Sequence, residues 1–324
     1  MRKKIDLQLY RGYVNDQGII VFGHAFWSRA LDTSQLDKTG LRHALSVIRM
    51  FRVNPINDAE VTFIFQDERV TTKTMEDGYF RFTLPFTTSL ESGWHPYSVQ
   101  CKVGHASTEE RSELLKPYPS KFGIISDIDD TFLISHSSSP FKKLYVMLFR
   151  NVNRRKIFED VVEHYKALSR AGQDSDEASN AFFYVSSSEW NLYRLITRFA
   201  KLHDLPKAVI KLKKVKTGLT DFLMSGRGSH DHKFVKIKDI ITFYPHLDYV
   251  LLGDDSQHDP YLYERVCKQF PRNVKAIYIR QTGRSQKPKV VAALEDIRSL
   301  NVATCYFKES AQAIKHSQKE EIIK

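Results

Sequence analysis

The sequence predicts an α/β domain built on a parallel sheet, preceded by an all-β sandwich domain. Three observations predict this. Up to residue 118 the chain holds short β-branched and aromatic runs separated by turn signals such as "NDQG" and "EDG". From residue 119 apolar strand-length runs alternate with amphipathic helical periods, the grammar of a parallel sheet flanked by helices. Between the two regions "KPYPS" supplies the paired prolines of a linker. The expected division is 1–118 for a sandwich of immunoglobulin or transthyretin type, 119–310 for the α/β domain, and 311–324 for a C-terminal helix or frayed tail.

Within the first region the strand candidates are "GIIVFGHAF", "EVTFIFQDERV", "GYFRFTLPF" and "WHPYSVQCKV". In "YFRFTLPF" the side chains of Phe80, Phe82 and Leu84 alternate with polar ones, as a half-buried strand requires. Residues 33–56 interrupt this region with a helical pattern. In the second region "FGIIS", "AFFYVS", "AVIKLK", "YVLLGD" and "VKAIYI" read as buried strands. Helical periods lie between them. "IFEDVVEHYKALSRAG" repeats Ile157, Val161, Tyr165 and Leu168 on one face and closes at Gly172. "NLYRLITRFAKLHD", "KFVKIKDIITFY", "PYLYERVCKQF" and "PKVVAALEDIRSL" complete the series. In such sheets ligands gather at the carboxyl ends of the strands, which directs attention there.

The 324 residues allow two domains, and 42% hydrophobic with 27% charged residues is an ordinary globular balance. Lys and Arg number 49 against 38 Asp and Glu, a net +11 that favours anionic partners: phosphorylated substrates, acidic membranes or nucleic acid. A stretch interleaving aromatic and basic residues for base stacking is missing, so nucleic acid is not expected. Cys101, Cys267 and Cys305 are odd in number and far apart, which implies neither a disulfide framework nor a zinc site. No window nears the roughly 18 apolar residues of a membrane span, and the basic start lacks an apolar segment behind it. The expectation is a cytoplasmic protein able to sit on a membrane surface without crossing it.

The strand "FGIIS" runs into Asp127, Asp129 and Asp130. Asp127 and Asp129 are two apart and face the same way on an extended chain. Carboxylates this close repel unless a cation lies between them; an Asp-rich turn is the structural alternative. Other strand ends carry polar groups too. "AFFYVSSSEWN" ends in Ser186, with Ser187 open as an alternative and Ser188 available to cap a helix. "HDHKFVKI" puts Lys233 at a helix start. "YVLLGDDSQHD" ends in Gly253-Asp254-Asp255, with Asp259 five residues beyond Asp254.

Asp127-Ile128-Asp129-Asp130-Thr131 matches DxDxT, and "GDDSQHD" matches a GDxxxxD variant. With Ser186 and Lys233 this ordered set resembles the four motifs of the haloacid-dehalogenase (HAD) phosphatase superfamily. "SDIDDT", "YVSSSEWNLY" and "LLGDDSQHDPYLYE" resemble, within it, the catalytic domain of the actin-patch-type phosphatidate phosphatase family, lipin-like, over residues 115 to 310. The resemblance implies a HAD-like (Rossmannoid) fold and a Mg²⁺-dependent phosphatase that converts phosphatidate to diacylglycerol. It implies Asp127 as nucleophile, forming an aspartyl-phosphate, and Asp129 as general acid and then base. Asp127, the backbone carbonyl of Asp129, and Asp254 would hold Mg²⁺. Ser186 would donate to a phosphoryl oxygen and Lys233 would balance charge. Thr131 would shape the turn, and Asp259 would either orient its neighbours or cap the helix at Pro260. Asp130 and Asp255 are left unassigned; each faces oppositely to its neighbour on an extended chain and could serve the turn.

Between the first two motifs, Phe141, Leu144, Tyr145, Leu148 and Phe149 form a helical stripe flanked by Lys142, Lys143, Arg150, Arg154, Arg155 and Lys156. This 141–156 segment suits docking on an anionic bilayer, or packing as a core helix with a solvated basic side. Lys207, Lys211, Lys213, Lys214 and Lys216 could meet headgroups or guard an edge strand. Arg227, His230 and His232 precede Lys233 and are candidate contacts for the substrate headgroup. Two other functions compete: a HAD phosphatase for phosphoproteins or soluble phosphomonoesters, and a phosphatidate-binding module without turnover.

Overall fold

A computed structural model describes residues 4–28, 54–128, 155–173, 175, 178–213, 229–256 and 258–324. Two compact units emerge. One takes the chain up to Lys116 together with Glu189–Arg194, and the other takes the remaining described residues from Pro117 onward.

The first unit contains β1 (Lys4–Leu9), β2 (Gly12–Val14), β3 (Gly18–Ser28), β4 (Glu60–Phe65), β5 (Glu68–Lys73), β6 (Tyr79–Pro85), β7 (Gly93–Val103) and β8 (Ala106–Lys116). They join through one network of pairing in the order β1-β3-β2-β8-β7-β4-β5, with β6 on β3, where a sandwich implies two sheets. The sheet is mixed: β2 lies parallel to β8 while β1–β3, β3–β6, β4–β5, β4–β7 and β7–β8 are antiparallel. "EVTFIFQDERV" is a hairpin rather than one strand, because Gln66 takes a left-handed turn conformation (φ 53°) between β4 and β5. Phe80 and Phe82 are buried and Leu84 half-buried, as the alternation requires, and they pack with Phe63, Val99 and Tyr97. Almost all of the helical pattern at 33–56 lies outside the described residues; at its end Pro55 bridges Phe26 and Ile56 is buried.

The second unit is α/β. Its strands are β9 (Phe122–Asp127), β10 (Ala181–Glu189), β11 (Val209–Lys213), β12 (Asp248–Asp254), β13 (Val274–Arg280) and β14 (Ala303–Phe307). Its helices are α1 (Arg155–Arg170), α2 (Tyr193–Leu202), α3 (Ser229–Phe243), α4 (Asp259–Gln269), α5 (Pro288–Ser299) and α6 (Ser310–Lys319). The sheet order is β11-β10-β9-β12-β13-β14, and the β9–β10, β9–β12, β12–β13 and β13–β14 pairs are parallel. Every residue of β9 is buried, which explains its unbroken apolar reading. Val161, Tyr165 and Leu168 of α1 are buried on one face as the period predicts. The chain end is anchored: Ser317, Ile322 and Ile323 are buried.

Starting from β9, this order places the first strand centrally, with its successors on one side and later strands on the other. Strand order reverses between β9 and β12. The carboxyl end of that pair is where open α/β sheets leave a crevice for ligands.

Candidate active site

The two strands that meet at the reversal each end in a carboxylate. Asp127 closes β9 and Asp254 closes β12, and Leu252 lies opposite Ser126 in the parallel register. Both are fully buried (1% and 0% exposed), so their charge must be balanced inside the protein. Part of that balance comes from α3. Lys233 Nζ lies 3.0 Å from Asp127 Oδ1 and donates to Asp259 Oδ1 at 2.8 Å, all three side chains being nearly inaccessible. One ammonium thus joins three separate sequence motifs. One turn further along α3, Lys236 Nζ donates to the Ser186 carbonyl at 2.8 Å, as the i, i+3 spacing allows.

Gly253 explains the glycine of "GDD". A Cβ there would sit 2.7 Å from Asp259 Oδ2 and 3.0 Å from a Tyr263 ring carbon, so only a bare backbone admits the α4 side chains this close. Asp259 Oδ2 is buried against it and receives no hydrogen bond from the described residues. Tyr263 Oη donates to the Leu252 carbonyl at 2.8 Å. Burial raises the Tyr263 hydroxyl far above its ordinary range, and Asp259, Asp127 and Asp254 push it the same way. The three carboxylates therefore share one electrostatic neighbourhood.

Asp259 does not cap its helix. It is the first residue of α4, whose N-cap is His258, and its carboxylate turns instead to Lys233. Ser186 is buried, one position past Val185, which pairs with Asp127; Ser187 is partly exposed. β10 runs on to Glu189, so Ser188 lies within the strand and not at a helix start; a 3₁₀ turn at Trp190–Leu192 intervenes before α2. His232 is exposed on the first turns of α3, and His230 lies in the same helix. Asp129, Asp130, Thr131, Arg227, Lys214, Lys216 and the 141–154 stretch of the basic helical segment lie outside the described residues. Of the lysines on β11, an edge strand among the described residues, Lys207 just before it is exposed and Lys211 is buried.

Arg280 was not singled out from the sequence. It ends β13 opposite Asp254 and is 5% exposed. Burial lowers its pKa, and Tyr165 and Asp254 resist that shift. The signal that could have found it is the one that found Asp127: a charged residue closing an apolar strand. Among the described residues, no group of three or more His, Cys, Asp or Glu side chains is arranged to hold a metal ion. No helix among them is long and apolar enough to cross a membrane.

Residues 122–281 match the family model described as "Phosphatidate phosphatase APP1, catalytic domain". The phosphatidate phosphatase APP1 of Saccharomyces cerevisiae is 29% identical over 162 residues, which is 50% of this chain and 26% of that protein. The chain thus spans about a quarter of that relative's length. Among solved structures, the carbohydrate acetylesterase XAC1771 from Xanthomonas citri aligns at TM-score 0.34 and 9% identity, covering 97% of this chain and 73% of that one. A β-glucuronidase from Parabacteroides merdae aligns at 0.29 and 10%, covering 94% and 40%. Likenesses this weak say nothing about fold. The matched segment spans Asp127, Ser186, Lys233, Asp254 and Asp259, and its likeness is to the catalytic domain of phosphatidate phosphatase APP1.

Proposed function

We propose that the chain is a Mg²⁺-dependent phosphatidate phosphatase of HAD type, releasing diacylglycerol through an aspartyl-phosphate. The observation that carries this reading is Lys233, whose ion pairs draw Asp127 and Asp259 together inside the segment that matches that family.

Asp127 is the nucleophile. One carboxylate oxygen attacks phosphorus, the bond to the glycerol oxygen breaks, and an acyl phosphate remains. Asp129, two positions on, gives its proton to the departing alkoxide and then takes one from the water that hydrolyses the acyl phosphate. Lys233 balances the charge of Asp127 and fixes the direction of attack by bonding one of its oxygens. The Ser186 hydroxyl donates to a phosphoryl oxygen. Asp259 holds Lys233 from the far side, and Thr131 shapes the turn beyond the nucleophile.

The residues fit a hard divalent cation. Like charges about 4 Å apart repel by roughly 4 kcal/mol at an effective dielectric near 20. A phosphate dianion brought to Asp127 multiplies that repulsion, and one ammonium already shared between two carboxylates cannot offset it. Asp127, Asp254 and the carbonyl of Asp129 would hold Mg²⁺ through oxygen donors, its preferred ligands. The ion would neutralise charge on the phosphoryl group and on Asp127. Arg227, His230 and His232 are candidate headgroup contacts, and the 141–156 segment a candidate membrane contact.

The test is phosphate release from phosphatidate in mixed micelles, with and without Mg²⁺, beside soluble phosphate esters. We expect Mg²⁺-dependent release from phosphatidate, abolished by Asp127→Asn and by Asp129→Asn. Turnover of soluble esters alone would favour the broader HAD phosphatase reading. Phosphatidate binding without any release would identify a lipid-binding module instead.

A further inference from the structure

The second aspartate of "GDD" has a defined occupation that the reaction does not use. Asp255 follows the carboxylate assigned to the metal, and it is 2% exposed. Its Oδ1 accepts from the Thr282 backbone N–H at 2.9 Å and from the Thr282 hydroxyl at 2.5 Å. Its Oδ2 accepts from the Tyr306 hydroxyl at 2.6 Å. Lys287 Nζ lies 3.6 Å from Oδ1 and also donates to the Asp255 carbonyl. The ring closes on itself, because the Lys287 backbone N–H donates to the Tyr306 oxygen at 3.1 Å. The Asp255 N–H in turn donates to the Arg280 carbonyl at 3.0 Å.

These side-chain and loop partners come from two places in the chain. Thr282 and Lys287 belong to the loop between β13 and α5, and Tyr306 belongs to β14. Asp255 thus ties the tip of β12 to the tips of the next two strands. Although burial works against ionisation, the hydrogen bonds from Thr282 and Tyr306 hold its carboxyl below the ordinary carboxylate range. With both oxygens engaged on this side, the Asp255 side chain is not available to the Asp127 site. Asp254, one residue earlier, is held on its own side by the Ser256 N–H at 2.6 Å.

We propose that Asp255 is a positioning residue for Asp254: its clamp on Thr282, Tyr306 and Lys287 fixes the backbone that aims the Asp254 carboxylate at the cation. This rests on the metal reading of Asp254. Partners that orient a metal ligand without touching the metal are commonly worth about 10- to 100-fold in affinity. An asparagine at 255 should keep most of the clamp. Its oxygen can still accept from Thr282, and its amide can donate to the Tyr306 oxygen. An alanine can do neither.

The experiment titrates Mn²⁺, as a paramagnetic stand-in for Mg²⁺, into the full chain and reads binding by electron paramagnetic resonance, without substrate. Asp254→Ala should abolish binding at the site. Asp255→Ala should weaken it about tenfold or more, Tyr306→Phe by a few-fold, and Asp255→Asn by no more than a few-fold. Near-ultraviolet circular dichroism verifies the fold of each variant. If Asp255→Ala does not fold, Tyr306→Phe decides, since it removes one bond from the ring; wild-type affinity there overturns the proposal. Wild-type affinity in a folded Asp255→Ala overturns it equally. A loss in Asp255→Asn as deep as in Asp254→Ala would make Asp255 a ligand and also overturn it. A wild-type chain that binds no Mn²⁺, or binds it irrespective of Asp254, would instead refute the metal reading and this proposal with it.

Discussion

At the scale of single residues, the buried triangle of Asp127, Lys233 and Asp259 carries the largest predicted effects. Removing the cation by Lys233→Met strands two carboxylates in a site from which water is excluded, a change that typically costs about 3–5 kcal/mol. We expect urea unfolding to show a loss of that order together with loss of turnover. Adding Asp259→Asn to Lys233→Met should restore part of the stability and none of the activity. A Lys233→Met protein within about 1 kcal/mol of wild type would show that the ion pairs do not bear on stability. Gly253→Ala tests the neighbouring constraint: the new methyl meets Asp259 at 2.7 Å, so Asp259 must move and loosen its hold on Lys233. Here kcat should fall at least tenfold; unchanged kcat would mean that Asp259 can shift freely. Asp127 and Asp254 were legible in the sequence because they close apolar runs, whereas Lys233, at a helix start, stood out only as a member of the ordered motif set. Asp255 was not legible, since its partners Thr282 and Tyr306 lie 27 and 51 positions away. Arg280 was passed over because it closes a strand with no matching motif.

At the scale of elements, every strand and helix proposed for the second unit is present, except the 141–154 stretch, which lies outside the described residues. Buried strands and amphipathic helices could be told apart because they have distinct periods. β1, β2, β8 and β14 were missed. β8, "ASTEERSELLK", is mostly polar and is held by 11 registered positions opposite β7, a long-range pairing that its own composition does not announce. The C-terminal segment was expected to be a helix or a frayed tail, and the helix is what forms. α6 is held by a buried network in which His164 of α1 meets Ser317 at 2.8 Å, and Ser317 donates to Tyr278 at 2.7 Å. This gives the second unit a predicted pH response. Burial, with a smaller contribution from His316, lowers His164 from 6.5 to about 4. Between those values the unfolded chain takes up a proton that the folded chain refuses, so stability is complete above pH 6.5 and declines as pH falls toward 4. The decline attributable to His164 is roughly 3 kcal/mol. Denaturant titrations at pH 7 and 4.5 should show it in wild type and show less in His164→Gln. Equal slopes in the two proteins would exclude His164 as the source.

At the scale of the whole molecule, the change from β grammar to alternating strand and helix is written in the sequence, but the assignment of Glu189–Arg194 to the first unit is not. That assignment depends on residues about 180 positions apart. Trp190 stacks on Tyr10 with ring centroids 4.1 Å apart, and Phe22 and His24 complete its surroundings. Gln8 donates to the Trp190 carbonyl, the Arg11 N–H donates to the Tyr193 hydroxyl at 2.9 Å, and Arg194 pairs with Asp6 at 2.5 Å. Trp190 and Tyr193 are 5% and 7% exposed. Baring two aromatic side chains that each bury about 150–250 Å² costs roughly 7–12 kcal/mol at 25 cal/mol per Å². A domain's entire stability is about 5–15 kcal/mol. A chain beginning at Pro117 keeps residues 122–281 but strips Trp190 and Tyr193 of these partners. We expect it to bind a hydrophobic dye and aggregate, while Trp190→Ala in the full chain folds with a loss of about 3–5 kcal/mol. A 117–324 chain with a sharp unfolding transition at the full-length midpoint would show that Trp190 and Tyr193 need nothing from the first 116 residues.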